Sequence, residues 1–416
     1  MSGEAHRPHA LVTDAGRGSA IAFIRSLGRR GWRVTAADAD PASPGFRSRF
    51  TTARLLYPRP SERPDAVVEA IRSRVERDAI DLVVPITDEL GLPLAEARDR
   101  FAGLTTLAVP DPAGLAATHD KSTTFALAER LGVPVPPTRL VEPGTDAVAI
   151  AGELGYPVVV KPVASRQVQP DRTIRSYVVG YAVDDDDLRR RLASLDRETP
   201  VLLQRWLPGD GVGVELLMDR GRPLAAFQHR RLREVPPTGG ASSLRVSAEL
   251  DDDLYDYAVR LLRELAWTGL AMVEFRRGRD GVGYLMEING RVWGSLPLAV
   301  RAGMDFPAQL ADLLLDGLAG TRSVPVGADV DRSYRRGLRG RNLRLELAWI
   351  GSVLSGRKRQ RGMPWPRRRE AFVAMASLLD PRIRDDLMSW SDPAPGLAQL
   401  GTIARDGLRG TRRTDG

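Results

Sequence analysis

The stretch AMVEFRRGRDGVGYLMEINGRVWGS, residues 271–295, predicts two strands joined by a turn. Two mainly apolar segments flank the charged, glycine-rich run RGRDGVG, which is typical of a hairpin loop. Because side chains alternate between the two faces of a strand, Glu287, Asn289 and Arg291 share one face. If the two strands pair, we expect Glu274 to lie across from that face.

The predicted hairpin brings two carboxylates and an amide oxygen together, with a guanidinium just beyond them. Oxygen ligands of this kind suit a hard cation such as Mg²⁺, and the phosphate oxygens of a nucleotide usually complete its coordination. Glu274, Glu287 and Asn289 are therefore candidate metal ligands. An exposed hairpin edge with solvated charges would show the same pattern, and the motif alone does not choose between the two.

Composition excludes several kinds of site. The chain has 416 residues, of which 43% are hydrophobic and 27% charged, so we expect two or three globular domains or one composite enzyme. It contains no Cys, which excludes disulfides, thiolate metal sites and a Cys nucleophile. The four His residues are too scattered to suggest a zinc site. No apolar run approaches the roughly 20 residues of a membrane span, and the N-terminus lacks the apolar core of a signal peptide, so a cytoplasmic protein is expected.

Basic residues are unevenly distributed. Arginine is used almost throughout, and the lysines are Lys121, Lys161 and Lys358. A lysine kept in such a chain indicates a place where a compact point charge is needed, which favours a functional role for Lys121 and Lys161. Lys358 lies in a run of arginines and needs no such explanation. From residue 331 onward there are 19 basic and 9 acidic residues, so the net charge of +8 belongs to this basic end.

The first part of the chain predicts a parallel α/β layer. Residues 9–14 form an apolar strand, the turn AGRGSA and a helical segment follow, and a second strand ends at Asp38. The full glycine fingerprint of a dinucleotide site is missing. A buried strand at 80–86 ends just before Asp88 and Glu89, at the edge where open α/β sheets bind ligands, although both carboxylates also suit a helix start.

The middle of the chain predicts mixed α and β elements that carry the candidate lysines. Asp120 and Ser122 are suited to cap a helix that begins around Lys121 and ends at a glycine before the proline-rich VPVPPT. The strand YPVVVKP has Lys161 at its end. VLLQRWLPG then reads as a strand entering a Pro-Gly turn, and a helix at 252–267 leads to the hairpin.

The order of these motifs resembles the ATP-grasp superfamily, in the branch of carboxylate–amine ligases and carbamoyl-phosphate-synthase-like enzymes. The resemblance covers about residues 9–318 and is carried by DKSTTFALAERLGVPVP, YPVVVKP, VLLQRWLPG, MVEF and YLMEINGRVWGS. Each motif is unspecific alone, whereas five in this order are specific. HRRLREVPPTGG, together with SLGRRGW near the start, is similar to predicted bacterial ATP-grasp ligases.

The resemblance implies a division of the chain. A pre-ATP-grasp parallel α/β domain is expected over residues 1–117. A two-lobed α+β ATP-grasp domain is expected over 118–318, with the smaller lobe at about 118–200 and the larger at about 201–318. Residues 319–416 are expected to form a basic, helical C-terminal extension.

The resemblance also implies roles for individual residues. Mg²⁺, or Mn²⁺ in its place, would be held by the hairpin ligands, and ATP would lie between the lobes. Arg291 would hold the substrate carboxylate or its acyl phosphate, and we expect Arg231 to assist it, although a solvated arginine-rich edge would give the same pattern. Asp210 is the nearest acidic candidate for the ribose and Glu215 the next. The remaining positions are the phosphate-binding Lys121 and Lys161 and the adenine hinge of Gln204, Arg205, Trp206 and Leu207.

These residues predict an ATP-dependent ligase that activates a small-molecule carboxylate as an acyl phosphate and joins it to an amine. A kinase or carboxylase built on the same fold is the first alternative. In a second alternative the basic end binds nucleic acid or an anionic membrane, because residues 343–354 form an apolar centre between arginine clusters. The same segment would also suit packing against its own protein or a second subunit, and a homodimer is possible.

Overall fold

The computed structural model describes residues 7–163, 166–168, 173–176, 179–195, 200–315, 329–357, 359–360 and 362–408. The N-terminal part is a parallel sheet in the order β3-β2-β1-β4-β5, which confirms the predicted α/β layer. Continuous apolar runs bury β1 and β4 on both faces. The elements are β1 (His9–Val12), α1 (Gly18–Arg29), β2 (Arg33–Asp38), β3 (Ala53–Leu56), α2 (Pro64–Asp78), β4 (Leu82–Val84), α3 (Asp88–Glu96) and β5 (Thr106–Leu107), with short 3-10 helices at Pro44–Arg47 and Arg98–Phe101.

An antiparallel sheet in the order β10-β7-β11-β6 forms the smaller lobe. Asp120 caps the helix that carries Lys121, because its side chain accepts hydrogen bonds from the N–H groups of Ser122 and Thr123. The elements are α4 (Pro112–His119), α5 (Lys121–Arg130), β6 (Thr138–Val141), α6 (Ala147–Leu154), β7 (Val158–Pro162), β8 (Arg166–Val168), β9 (Ile174–Ser176), β10 (Gly180–Ala182), α7 (Asp185–Ala193) and β11 (Val201–Arg205).

A larger sheet, in the order β16-β15-β12-β13-β14 and continued by two strands of the C-terminal extension, forms the second lobe. Its core strands alternate apolar residues against α8, whose apolar side includes the buried Leu254, Leu261 and Leu262. The elements are β12 (Gly209–Asp219), β13 (Arg222–Val235), β14 (Ala241–Ala248), α8 (Asp252–Glu264), β15 (Gly269–Gly278), β16 (Gly283–Asn289), α9 (Leu296–Ala302) and α10 (Phe306–Leu314).

The C-terminal extension is helical, as predicted, and it also completes the larger sheet. Strands β17 (Arg339–Arg341) and β18 (Ile383–Asp385) pair beside β14, while the helices are α11 (Leu343–Ser355), α12 (Arg368–Ser377) and α13 (Ala394–Leu408). The larger sheet therefore draws strands from beyond residue 318, and the three predicted domain boundaries remain predictions. Lys358 lies outside the described residues.

The apolar segment within the basic end packs against its own protein. Trp349, Ile350 and Val353 of α11 are buried in a cluster with α12. Glu346 on the same helix is fully buried and accepts a hydrogen bond from the Arg233 guanidinium of β13, which also stacks over Trp349. The apolar face of α11, which the sequence suggested for contact with a membrane, is thus covered by other parts of the same chain. None of the helices in the described ranges has the length and apolar character needed to cross a membrane.

A buried carboxylate ties the extension to the N-terminal domain. Asp392 is 1% exposed and accepts hydrogen bonds from Arg25 Nε at 2.9 Å, Ser48 Oγ at 2.7 Å and the Arg49 N–H at 3.0 Å. Arg25 also donates to the Asp392 carbonyl at 2.7 Å, so the guanidinium contacts both parts of the residue. Because a buried charge is stable only when it is fully paired, these contacts hold the start of α13 against the N-terminal domain.

Removing this carboxylate should destabilise the protein strongly. We expect Asp392→Ala to lower the free energy of unfolding by about 3–5 kcal/mol, because it leaves Arg25 buried without its counter-charge. Glu249→Ala is the matched control. Its carboxylate pairs with Arg336 at 2.7 Å, but both side chains are exposed, so the cost should be about 1 kcal/mol or less. Urea unfolding of both variants checks this, and equal losses would contradict the role of Asp392.

Candidate active site

The hairpin pairs as the sequence predicts. In β15 and β16 Glu274 lies directly opposite Glu287, and Met272 lies opposite Asn289. The Asn289 side-chain N–H donates to Glu287 Oε1 at 2.9 Å, which turns the amide oxygen of Asn289 away from that carboxylate. Two carboxylates and an amide oxygen therefore share one face of the sheet.

This face forms one wall of a cavity of about 510 Å³ between the two lobes. The smaller lobe supplies the opposite wall through the ends of β7, β11 and α5. All of the predicted site residues line this cavity except Asp210: Lys121, Lys161, Gln204, Arg205, Trp206, Leu207, Arg231, Glu274, Glu287, Asn289 and Arg291. Segments that are distant in sequence thus converge on one space of a size that accommodates a nucleotide.

Both candidate lysines are buried in this cavity. Lys161 ends β7 with 8% of its surface exposed, and its Nζ lies 5.7 Å from the centre of the Phe125 ring. Burial, together with the nearby charge of Lys121, lowers the pKa of Lys161 to about 8, although Glu287 and Glu274 oppose this. The Lys121 N–H donates to the Val163 carbonyl at 3.0 Å, so the two lysine-bearing segments are fixed side by side.

The two facing carboxylates have different acidities. Burial raises the pKa of Glu274, and the charge of Glu287 adds to the rise, while Arg231 opposes it. Burial also acts to raise the pKa of Glu287, but Lys121, the Asn289 hydrogen bond, Arg291 and Lys161 together outweigh it and the pKa is lowered. Glu287 is accordingly the more firmly ionised member of a half-buried pair of like charges.

The end of β11 and the two residues after it, Trp206 and Leu207, line the cavity. The N–H of Arg205 donates to the Pro137 carbonyl at 2.9 Å, and the N–H of Trp206 donates to the Pro157 carbonyl at 3.1 Å. Both acceptors are prolines, which have no N–H to donate in return. The carbonyl of Arg205 therefore receives no hydrogen bond from Pro137. Leu207, two residues further along the chain, also lines the cavity.

Gln204 is positioned by a side-chain hydrogen bond. It is 1% exposed, and its Nε2 donates to Thr138 Oγ1 at 2.8 Å. With the amide nitrogen engaged, the side-chain oxygen of Gln204 is the atom that can accept a hydrogen bond from the cavity. Thr138 is a positioning residue that the sequence analysis did not identify, because it lies 66 residues away in β6.

The two candidate substrate-binding arginines are held by protein carboxylates. Arg231 is half-buried, with 9% of its side chain exposed, and pairs with Glu274 and, at 3.2 Å, with Glu234. These contacts raise its pKa, and burial, the largest single influence, acts in the opposite direction. Arg291 Nε donates to Asp88 Oδ2 at 2.9 Å, which links the hairpin to the carboxyl end of β4 in the N-terminal domain. Arg231 therefore does not belong to a solvated, arginine-rich edge, which was the alternative interpretation of its sequence pattern.

The two acidic residues considered for the ribose lie elsewhere. Asp210 is exposed at the beginning of β12 and lies 3.6 Å from Arg230, along a different surface of the lobe. Glu215 is fully buried, where it lies 2.8 Å from His229 Nδ1 and accepts a hydrogen bond from Ser295 Oγ at 2.7 Å. Asp210 falls on the opposite face of β12 from Gly213, the position across from Glu274. Glu215 falls on the same face as Gly213 but is engaged by His229 and Ser295. Neither placement supports a ribose contact, and the assignment of Asp210 remains a prediction.

Tyr181 and Arg17 are among the residues of the cavity wall that were not identified from sequence. Tyr181 of β10 donates from its hydroxyl to the Gly239 carbonyl at 2.9 Å and so holds the Gly-Gly turn of the larger lobe against the smaller one. Arg17, in the turn before α1, reaches the same cavity from the N-terminal domain. The unusual AGRGSA turn was the available signal for Arg17, whereas nothing local marks Tyr181.

Residues 197–335 match the family model described as "ATP-grasp in the biosynthetic pathway with Ter operon". The chain is also 26% identical over 310 residues to the carbamoyl phosphate synthase large chain of Thermus thermophilus, covering 71% of this chain and 28% of that protein. The chain thus spans only about a quarter of the length of the curated relatives it matches.

Solved structures show the same fold. Biotin carboxylase from Campylobacter jejuni superposes with a TM-score of 0.61 at 16% identity, covering 80% of this chain and 74% of that one. L-amino acid ligase from Bacillus licheniformis superposes with a TM-score of 0.58 at 16% identity, covering 75% of each chain. At these identities the likeness concerns the fold alone. Together with the family model, these similarities confirm the predicted resemblance of the chain to the ATP-grasp superfamily, among proteins like carbamoyl phosphate synthase.

Proposed function

We propose that the chain is an ATP-dependent ligase that activates a carboxylate as an acyl phosphate and joins it to an amine. The observation that carries this proposal is the meeting of Lys121 and Lys161 with the Glu274–Glu287 pair in one buried cavity between the lobes. Cations on one wall suit the phosphates of a nucleotide, and anions on the other suit the metal that accompanies them. The family of the chain supports the same reaction class.

The hinge would bind adenine mainly through its backbone. The Arg205 carbonyl and the Gln204 side-chain oxygen are acceptors for the exocyclic amino group, and the Leu207 N–H is a donor for a ring nitrogen. Trp206 closes the cavity above them, where its Nε1 lies 3.5 Å from the Thr238 carbonyl. This division leaves the lysines, which line the same cavity, for the phosphates.

The chemistry of the hairpin fits Mg²⁺ or Mn²⁺. Glu274, Glu287 and the Asn289 oxygen offer hard oxygen ligands, and a divalent cation would relieve the repulsion between the two half-buried carboxylates. The described residues contain no group of three or more His, Cys, Asp or Glu side chains around one point, so phosphate oxygens would have to complete the coordination. A metal bound there would neutralise charge on the β- and γ-phosphates.

The reaction would proceed in two displacements. A carboxylate oxygen attacks the γ-phosphorus, the bond to the β-phosphate oxygen breaks, and ADP and an acyl phosphate form. The amine nitrogen then attacks the acyl carbon, the carbon–oxygen bond to phosphate breaks, and the nitrogen loses a proton. Catalysis would rest on positioning and charge neutralisation, which agrees with a chain that has no Cys.

Arg231 and Arg291 would supply the positive charge at the acyl group. Each is already paired, with Glu274 and with Asp88 respectively. A carboxylate substrate would therefore contact guanidinium groups that Glu274 and Asp88 already hold in a fixed orientation. Because Arg231 and the metal would both contact Glu274, binding of the nucleotide and of the acid is expected to be coupled through this side chain.

Substitution of the hairpin carboxylates should remove activity. We expect Glu287→Gln and Glu274→Gln each to lower ADP release by about a hundredfold or more, because each deletes a negative charge beside the phosphates. The assay is ADP release in the presence of ATP, Mg²⁺, a panel of carboxylic acids and a panel of amines. Release that needs both an acid and an amine supports a ligase, whereas release without an amine supports a kinase or carboxylase.

Glu264→Gln is the matched control for both variants. Glu264 pairs with Arg130 on the exposed side of α8, so its substitution should leave ADP release and folding unchanged. Circular dichroism and thermal unfolding verify that the hairpin variants are folded. Full activity in both Glu274→Gln and Glu287→Gln would contradict the metal assignment.

The charge of Lys161 should be visible by NMR. With so few lysines in the chain, a ¹³Cε-lysine spectrum resolves each side chain, and Lys161→Arg identifies its signal. We expect one lysine to titrate near pH 8, because burial favours the neutral amine, and its pKa should rise when ATP and Mg²⁺ are added. A free protein in which all lysines titrate near the ordinary value of about 10.4 would contradict the buried position of Lys161.

A further inference from the structure

Helix α12 buries its small side chains and exposes its large ones. Ala371 and Ala374 are fully buried where the helix packs against α11. On the opposite side Phe372 is 60% exposed and Met375 is 45% exposed, and Leu379, just beyond the end of the helix, is 88% exposed. A surface helix ordinarily turns its large apolar residues toward the core. Packing within the described part of the chain therefore does not account for these three side chains.

The exposed apolar residues form one stripe. Phe372, Met375 and Leu379 follow each other at intervals of three and four residues, and the backbone remains helical through Leu378, so their side chains share one face. Val373 is 63% exposed beside them. Single apolar residues are normal on a protein surface, whereas a contiguous group indicates contact with a partner.

The apolar surface extends from α12 to the larger lobe. Val373 lines a surface hollow of about 420 Å³ together with Leu232 of β13, which is 37% exposed. Arg231 lines both this hollow and the cavity between the lobes. The exposed face of α12 and the candidate active site are thus neighbours on the same lobe.

Three arginines precede the stripe. Arg367, Arg368 and Arg369 stand at the start of α12, and all three are exposed. Arg368 lies four residues before Phe372 and Arg369 lies three residues before it, so both side chains flank the apolar stripe. Within the described ranges none of the three guanidinium groups pairs with a carboxylate. Glu370 is engaged by the Arg367 N–H, which donates to its Oε1 at 2.9 Å.

Helix stability does not explain this composition. Positive side chains are unfavourable at the start of a helix, where the helix dipole favours carboxylates. Large apolar side chains that remain in water add no burial that would offset this cost. Both features become favourable against a partner that is anionic at its surface and apolar beneath it. We call the three arginines and the apolar stripe together the α12 surface.

Two other kinds of partner match only half of the α12 surface. A nucleic acid would pair its phosphates with the arginines, but it would leave Phe372, Met375 and Leu379 in water. A second copy of the chain would cover the apolar stripe. In a two-fold contact, however, the same patch faces itself, and its net positive charge would oppose the contact.

We propose that the α12 surface docks the protein on an anionic lipid bilayer. Phe372, Val373, Met375 and Leu379 enter the boundary between headgroups and acyl chains, and the arginines contact lipid phosphates at the level of the headgroups. The docking surface is separate from the apolar face of α11, which is covered. The inference does not depend on the reaction that the active site performs.

Sedimentation of the full chain with lipid vesicles tests the proposal. Vesicles with equal amounts of phosphatidylglycerol and phosphatidylcholine offer an anionic surface, and vesicles of phosphatidylcholine alone offer a neutral one. We expect binding to the anionic vesicles to be about tenfold stronger or more than binding to the neutral ones. Added NaCl should weaken it, because salt screens the arginines from the lipid phosphates.

Two double variants separate the apolar contribution from the charged one. Phe372→Ser/Met375→Ser and Arg368→Glu/Arg369→Glu should each weaken binding to the anionic vesicles by about tenfold or more. All four side chains are exposed, so the thermal unfolding of both variants should stay close to that of the wild type.

Matched controls make the same changes elsewhere on the surface. Leu56→Ser/Leu104→Ser removes two exposed apolar side chains, and Arg54→Glu/Arg279→Glu reverses the charge of two exposed arginines. Both controls should bind the anionic vesicles as the wild type does, because none of the four residues belongs to the α12 surface.

The absence of Cys from the chain allows an independent measurement. Leu379→Cys and Leu56→Cys each introduce a single thiol, which is labelled with the fluorophore NBD. Emission of this fluorophore rises when it leaves water for the boundary of a bilayer. Anionic vesicles should raise the emission of labelled Leu379→Cys and leave that of labelled Leu56→Cys unchanged.

Other outcomes overturn the inference in distinguishable ways. It is refuted if the wild type does not bind anionic vesicles, or if both α12 double variants bind them as well as the wild type. A dimer in sedimentation velocity that Phe372→Ser/Met375→Ser abolishes, without vesicle binding, would assign the surface to a second copy. Binding of a DNA duplex that Arg368→Glu/Arg369→Glu abolishes, without vesicle binding, would assign it to nucleic acid. A large loss of thermal stability in Phe372→Ser/Met375→Ser would show that these side chains pack within the protein.

Discussion

The site depends on two like charges that face each other across one hairpin. Glu274 and Glu287 are paired residues of β15 and β16, and both face a buried cavity. Such a pair is unfavourable by itself, because burial and mutual repulsion both oppose ionisation. The surrounding structure compensates with cations from different parts of the chain, namely Lys121, Lys161, Arg231 and Arg291. The two carboxylates are therefore suited to bind a metal ion, and the surrounding cationic side chains are suited to bind a polyphosphate.

Ion pairs of the charged residues around the site also link the domains. Arg291 extends from the hairpin to Asp88 at the start of α3, so the charge of the site reaches the N-terminal sheet. The C-terminal extension returns to the same place, since Asp386 pairs with Arg245 and Asp392 with Arg25. The basic end of the chain is in this way a part of the folded protein, although its composition alone suggested a binding tail.

The local part of this arrangement could be predicted from sequence, and the long-range part could not. The hairpin, the capped helix of Lys121 and the strand of Lys161 follow from periodicity, caps and turn residues within a few positions. The partners of Arg291 and Arg245 lie 203 and 141 residues away, and no local pattern specifies them. Asp210 was chosen for its closeness in sequence to the hinge, and it does not line the cavity because it falls on the other face of β12 from the position across from Glu274.

The C-terminal strands show a further limit of sequence patterns. Strand β17 reads Arg-Gly-Arg and β18 reads Ile-Arg-Asp, each too short and too polar to show alternation. Their pairing is decided by the sheet edge that they cover and by Arg341, which donates to the carbonyls of Ser377 and Ile383. A basic composition was therefore a poor guide to their structure, while the apolar face of α11 was a good one.

The central claim is that the cavity between the lobes binds ATP together with a divalent metal. Calorimetric titration of the protein with ATP, in Mg²⁺ and then in excess EDTA, tests it most directly. We expect one ATP bound per chain in Mg²⁺, with markedly weaker binding in EDTA, because the facing carboxylates then lack their counter-charge. Absence of ATP binding in Mg²⁺, or equal affinity in Mg²⁺ and EDTA, would contradict it.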